Sequence, residues 1–123
     1  MIKNNKIVLI IDDNEGVLKP LSFLLFGLGY TVRTAVNGMN SVIMQKPFAN
    51  LILLDMRLHE GRGENGQDVC ARIKEGKQTK HIKVIMFSAD SHVGDVAKKS
   101  GADDFIAKPF SIANLVKKIE EYI

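Results

Sequence analysis

Unbroken runs of aliphatic residues recur along this chain, and the clearest of them end directly in a carboxylate or a hydroxyl. The best example is Leu51–Leu54, which is followed by Asp55. A strand without a polar face is typical of a parallel sheet that helices cover on both sides. A carboxylate is costly to bury inside such a sheet, so we expect Asp55 at the carboxyl end of its strand. There it would face the crevice where open α/β sheets bind ligands.

The same pattern predicts five strands, and helical periodicity fills the intervals between them. The expected strands span residues 7–11, 30–35, 51–55, 83–87 and 104–107. The first expected helix begins near Gly16, the second contains Val42–Met44, and the third contains Val69–Ile73. The fourth spans about Ser91–Ser100, and the fifth follows Ser111 as its cap, with Ile112 on its core face. Because Pro20 is tolerated in a first turn but kinks a helix further in, the first helix should begin at about Gly16 or later. The Gly-rich stretch from His59 to Gly66 should be an exposed loop.

Strand and helix alternate five times over 123 residues, with no linker, repeat or low-complexity segment. This order predicts one domain over residues 1–123, built on a parallel sheet with helices on both faces and right-handed crossovers. Since parallel strands end at the same edge, their following side chains should converge there. The converging residues are Asp12, Asp13, Asp55, Ser88 and Lys108.

The residue types at that edge suit one kind of chemistry. Three carboxylates in one crevice repel each other, and a hard divalent cation such as Mg²⁺ resolves the repulsion in an all-oxygen site without His or Cys. Lys108 supplies a mobile positive charge for a phosphate oxygen, and Ser88 supplies a hydroxyl. These parts fit phosphoryl transfer onto a carboxylate, with Asp55 as the nucleophile.

The ordered motifs closely resemble the receiver domain of two-component response regulators, and the resemblance covers essentially the whole chain. The motifs are Asp12-Asp13 after the first strand, Leu53-Leu54-Asp55-Met56 after the third, Ser88-Ala89 after the fourth, and Gly101 to Phe110 around the fifth. The resemblance implies an α/β, flavodoxin-like, doubly wound five-stranded parallel sheet of order 2-1-3-4-5 with five helices. It also implies a signalling switch that catalyses only its own phosphorylation and dephosphorylation, and is not otherwise an enzyme.

By resemblance, Asp55 would accept a phosphoryl group from a histidine kinase or a phosphotransfer protein. Asp13, Asp55 and the backbone carbonyl of Arg57 would hold Mg²⁺, and Asp12 would act on the ion through water. Lys108 would contact the phosphoryl group.

The resemblance also implies how the signal leaves the site. Ser88 and Phe105 would form a switch pair, and the peptide bond between Lys108 and Pro109 would be cis. The switch would reshape the face made by the fourth helix, the fifth strand and the fifth helix, where a downstream effector or a second copy would bind.

Two features depart from the family pattern. His59 stands where the family usually has a proline, and the segment from Glu60 to Gly66 is a few residues longer than usual. Arg57 stands at the mouth of the expected site, and we hypothesise that its side chain reaches Asp90 or the phosphoryl group.

Composition narrows the range of partners. The net charge is +3, and the lysine pairs at 98–99 and 117–118 are interpreted as solvated faces, so no direct nucleic-acid contact is expected. No apolar stretch approaches the roughly 20 residues of a membrane span. We expect this chain to carry no effector domain, so that it is either a stand-alone receiver or a fragment of a longer regulator or hybrid kinase. The single cysteine, Cys70, fits packing in a reducing cytoplasm.

Alternatives remain for the residues and for the function. Asp12 and Asp13 taken alone would be read as caps of the first helix. A degenerate receiver that binds partners without phosphorylation is the main alternative function, although the intact acidic set counts against it. A small nucleotide or flavin binder is a third, but a Gly-rich phosphate loop does not follow the first strand.

Overall fold

The computed structural model describes residues 6–36, 39–56 and 65–123, in which strands and helices alternate. The elements are β1 (Ile7–Ile11), α1 (Glu15–Gly27), β2 (Thr31–Ala35), α2 (Met39–Met44), β3 (Leu51–Asp55), α3 (Gly66–Glu75), β4 (Lys83–Ser88), α4 (Val93–Ser100), β5 (Asp104–Ala107) and α5 (Ile112–Tyr122). The strand order is β2-β1-β3-β4-β5, and neighbouring strands are parallel throughout. The expected doubly wound sheet is therefore confirmed, with β2 at one edge.

The aliphatic runs form unbroken strands because both faces of the sheet are covered. In β3, Leu51 and Leu53 pack into the layer beneath α1 and α5, whereas Ile52 and Leu54 pack into the layer beneath α2, α3 and α4. Successive strand side chains point to opposite faces, so an apolar residue is needed at every position. Cys70 belongs to the second layer, where burial raises the pKa of its thiol to about 11. This supports packing as the role of Cys70.

The first helix begins at Glu15, within one residue of the expected start at about Gly16. The Asn14 side chain caps the helix by accepting a hydrogen bond from the backbone N–H of Gly16. Pro20 lies beyond the first turn and cannot donate to the Gly16 carbonyl, but both residues are exposed. Water can therefore take the place of the missing hydrogen bond, and the helix tolerates the proline.

Two expectations fail. The Asn37-Gly38 pair, a residue combination typical of a turn, lies outside the described residues. Gly66 was expected in an exposed loop, but it is the buried first residue of α3, which Asn65 caps through a bond to the N–H of Asp68. Ile112 was expected in the core, but it is 59% exposed because Leu115 and Ile119 form the buried face of α5. Among the described helices, none has the length and apolarity needed to cross a membrane.

Candidate functional site

Four adjacent strands present polar side chains at one edge of the sheet. Asp55 is the last residue of β3 and Ser88 is the last residue of β4, while Asp12 directly follows β1 and Lys108 directly follows β5. The backbone N–H of Lys108 donates to the carbonyl of Ser88 at 2.8 Å, which fixes the fourth and fifth strand ends side by side. The strand ends therefore gather the residues at the edge where α/β sheets bind ligands.

Asp12, Asp13 and Asp55 form an acidic pocket. One oxygen from each of the three carboxylates lies within 4.8 Å of the others. Asp12 is 1% exposed and Asp55 is 8% exposed, whereas Asp13 is exposed to solvent. Asp12 does not cap α1; its Oδ1 accepts from the N–H of Asn14 at 2.9 Å. Carboxylate oxygens at this spacing, open to water on one side, are the kind of ligand set that suits a hard divalent cation.

Lys108 brings a positive charge to the rim of the pocket. Its Nζ lies 3.5 Å from Asp12 Oδ2 and 4.5 Å from the centroid of the Phe87 ring. Phe87 packs edge-on against Phe110, with ring centroids 6.4 Å apart. The ammonium is therefore held by a carboxylate on one side and an aromatic face on the other. The peptide bond between Lys108 and Pro109 is cis.

Ser88 is 3% exposed, and its Oγ accepts a hydrogen bond from the N–H of Asp90 at 3.0 Å. Asp90 in turn accepts from the N–H of His92 at 2.8 Å. The Ser88 hydroxyl thus lies at the base of a tight turn that leads into α4, and its proton remains able to donate to an oxygen in the crevice.

Phe105 lies outside the acidic pocket, on the surface between α4 and α5. Ile106 packs into the layer beneath α1 and α5, so Phe105 points to the opposite face of the sheet. Its side chain is 41% exposed, and Lys118 Nζ lies 5.9 Å from its ring centroid.

The neighbouring Asp104 ties β5 to α5. Its Oδ1 is 3.0 Å from Lys118 Nζ, and its Oδ2 accepts from the Tyr122 hydroxyl at 3.1 Å. Partial burial alone would raise the pKa of the Asp104 carboxyl. Hydrogen bonds from the Phe105 N–H, Lys118 and Tyr122 outweigh that effect and hold this pKa below its usual range.

Sequence reasoning missed the part that Gly66 plays in the site. A Cβ atom on Gly66 would lie 2.1 Å from the Asp55 carbonyl oxygen and 2.7 Å from the Cα of Met56. The Gly66 N–H donates to the Met56 carbonyl at 2.9 Å, so the backbones meet directly. The sequence signal was a glycine between Asn65 and the apolar stripe of α3. Arg57 and His59 lie outside the described residues.

The fold and the pocket define the class of protein. Residues 8–120 match the response regulator receiver domain, so the chain belongs to this family, as its motifs predicted. Receiver domains are switches of two-component signalling rather than classical enzymes, and they interact with histidine kinases and effector domains.

Individual relatives show the same relationship. The chain is 34% identical to the sensory transduction protein RegX3 of Mycolicibacterium smegmatis over 91% of the chain and 48% of RegX3. It is 31% identical to the response regulator PleD of Caulobacter vibrioides over 91% of the chain and 25% of PleD. A crystal structure described as a response regulator from Chloroflexus aurantiacus superposes with a TM-score of 0.85 at 28% identity, covering 95% of this chain and 96% of that one. The chain thus spans half or less of these curated relatives.

Proposed function

We propose that this chain is the phosphoacceptor switch of a two-component phosphorelay and that Asp55 is the residue phosphorylated. The observation that carries the proposal is the convergence of three carboxylates within 4.8 Å, with the Lys108 ammonium 3.5 Å from one of them. Asp55 is the acid supplied by the central strand β3. A buried nucleophile in a pocket that also contains a lysine ammonium suits transfer of a highly charged group.

In the proposed step, a carboxylate oxygen of Asp55 forms a bond to phosphorus. The P–N bond of the phosphohistidine on a kinase or phosphotransfer protein breaks, and its electron pair stays on the imidazole nitrogen. Lys108 lies where its ammonium can leave Asp12 and pair with a phosphoryl oxygen, and the Ser88 hydroxyl can donate to another. The product is an acyl phosphate on Asp55.

The acidic pocket fits Mg²⁺ as the resident ion. Asp13 and Asp55 would hold it, Asp12 would act through water, and the Arg57 carbonyl is a further ligand by resemblance alone. When bound, Mg²⁺ would neutralise charge on the carboxylates and on the phosphoryl oxygens. The ligand set fits because its donors are all oxygens at close spacing.

Signal output is proposed to follow from Ser88 and Phe105. Movement of the Ser88 hydroxyl toward the phosphoryl group would free space for the Phe105 ring to turn inward and so change the α4–β5–α5 face. A downstream effector protein or a second copy would bind that face. The single-domain reading of residues 1–123 and a cytoplasmic location remain predictions.

The proposal is tested by incubating the protein with acetyl phosphate and Mg²⁺ and measuring its intact mass. We expect the native chain to gain one phosphoryl group that is stable in acid and labile in base, and EDTA to prevent the gain. Asp55→Asn should gain none, while the exposed carboxylate variant Glu75→Gln should be labelled like the native chain. Failure of the native chain to be labelled would favour the degenerate receiver that binds partners without phosphorylation.

A further inference from the structure

The tip of the Phe105 ring occupies the space that a side chain at residue 94 would need. Its Cζ, Cε1 and Cε2 atoms lie 3.1, 3.3 and 3.4 Å from the position of a Cβ on Gly94. Ordinary carbon contacts are about 3.5–4.0 Å, so even a methyl group would crowd the ring. The ring therefore lies directly on the backbone surface of α4.

A residue of α5 also contacts the ring. Lys118 Nζ lies 5.9 Å from the ring centroid, within the range of a cation–π contact. Asp104 fixes the ammonium at 3.0 Å, and the same Oδ1 atom accepts from the Phe105 N–H at 2.8 Å. We call Gly94 and Lys118 together the aromatic seat, because they contact the Phe105 ring in its exposed, outward orientation.

The backbone of α4 does not itself require a glycine at this position. Gly94 lies within the helix, and the described glycines with positive φ are Gly29 and Gly101. Gly94 is the second residue of α4, where glycine still loses more backbone entropy than a residue with a side chain. Space for the Phe105 ring is thus the feature of the structure that accounts for Gly94.

We propose that Gly94 is a positioning residue of the switch, because it seats the Phe105 ring outward and so stabilises the unphosphorylated state. This inference rests on the proposed function, in which the ring turns inward when Asp55 is phosphorylated. A side chain at residue 94 raises the free energy of the outward ring and leaves an inward ring untouched. Because coupling between two sites is reciprocal, a ligand that favours the inward ring must then bind more tightly.

The experiment compares beryllofluoride binding, in the presence of Mg²⁺, by native protein, Gly94→Ala and Gly27→Ala. Gly27→Ala is the matched control, because a Cβ on this helical glycine would have nothing within 4 Å. We expect Gly94→Ala to bind roughly fivefold to tenfold more tightly than native, at the low end of ordinary couplings, and Gly27→Ala to bind like native. In ligand-free Gly94→Ala, the Phe105 ring resonances of ¹³C-labelled protein should move toward their positions in the native complex.

A second pair of variants separates this role from a change in α4 stability. In a Phe105→Leu background the ring tip is gone, so adding Gly94→Ala should no longer tighten binding. The proposed role of Gly94 is wrong if Gly94→Ala and Gly27→Ala bind beryllofluoride equally tightly. It is also wrong if Gly94→Ala still tightens binding in the Phe105→Leu background. If the native chain binds no beryllofluoride, the proposed function itself fails, which is a distinguishable result.

Discussion

At Gly66, the beginning of α3 lies directly against the backbone of Asp55 and Met56. The Gly66 N–H binds the Met56 carbonyl, and there is no room for a Cβ atom. The same stretch is fixed from the other side, where the Met56 N–H donates to the Phe87 carbonyl at 3.1 Å. The position of the Asp55 carboxylate thus depends on a residue that has no side chain.

Gly66→Ala should damage both the fold and the site. Its Cβ would overlap a backbone carbonyl, which cannot rotate away as a side chain would, so we expect a loss of about 2–3 kcal/mol in the free energy of unfolding. Phosphorylation of Asp55 should slow as the strand end shifts. Urea unfolding and acetyl phosphate labelling measure the two effects, with Gly27→Ala as the control. Native stability in Gly66→Ala would contradict the overlap.

At the scale of elements, β5 and α5 are joined by the ion pair of Asp104 and Lys118 and by the Tyr122 hydroxyl. Tyr122 also donates to the Asp103 carbonyl at 3.0 Å. These contacts hold together two of the three elements of the proposed output face. They also position the Lys118 ammonium beside Phe105.

The ion pair of Asp104 and Lys118 should weaken in acid. The folded pKa of Asp104 lies below its unfolded value, so its contribution to stability is present above the ordinary carboxylate range and is lost as pH falls through the folded pKa. Asp104→Asn should therefore reduce the free energy of unfolding at pH 7, by at most about 1 kcal/mol because solvent screens the pair. Below the folded pKa the difference should vanish. Urea unfolding at pH 7 and at a pH below the folded pKa measures the difference in the free energy of unfolding between the native protein and Asp104→Asn. An equal difference at the two pH values would contradict the role assigned to the Asp104 carboxylate.

The strands were more predictable than the helix ends. Strands β1 and β3 begin and end where the sequence predicted, because their uninterrupted aliphatic runs suit a sheet covered on both faces. Strand β5 also agrees, although only Ile106 in it is buried. The starts of helices depend on local hydrogen bonds instead. Asn14 and Asn65 cap α1 and α3, and neither was read as a cap from the sequence. The approach of Gly66 to β3 is a tertiary contact, which periodicity does not reveal.

At the scale of the whole molecule, the acidic pocket is a cost to folding. Three carboxylates converge within 4.8 Å, two of them almost buried, and Lys108 is the cation described beside them. Like charges at this distance disfavour the folded state unless a cation compensates them. The carboxylates that the proposed site requires therefore lower the free energy of unfolding of the chain.

Asp13→Asn should accordingly raise the melting temperature in EDTA, by about 2–6 °C, since one negative charge leaves the pocket. Mg²⁺ should raise the melting temperature of the native protein in proportion to its binding, and raise that of Asp13→Asn less. Thermal melts with and without Mg²⁺ measure both effects. Equal Mg²⁺ shifts in the two proteins would show that Asp13 does not contribute to the ion site.

The hydrophobic pattern alone predicted a parallel sheet with helices on both faces, and it placed the acidic residues at one edge. The strand order 2-1-3-4-5 came from the resemblance of the motifs to a family, because aliphatic runs do not specify which strands are neighbours. The outward orientation of Phe105 over Gly94 was not predicted, since it depends on how α4 lies against β5.

The division of the core by the sheet has a consequence for protein engineering. Leu53 belongs to the layer of Leu115 and Ile119, whereas Leu54 belongs to the layer of Val69 and Ile73, although the two leucines are neighbours in sequence. A volume change at one should be compensated by residues in its own layer, and substitutions in opposite layers that share no partners should add independently. The chain in effect offers two cores that a designer can repack one at a time.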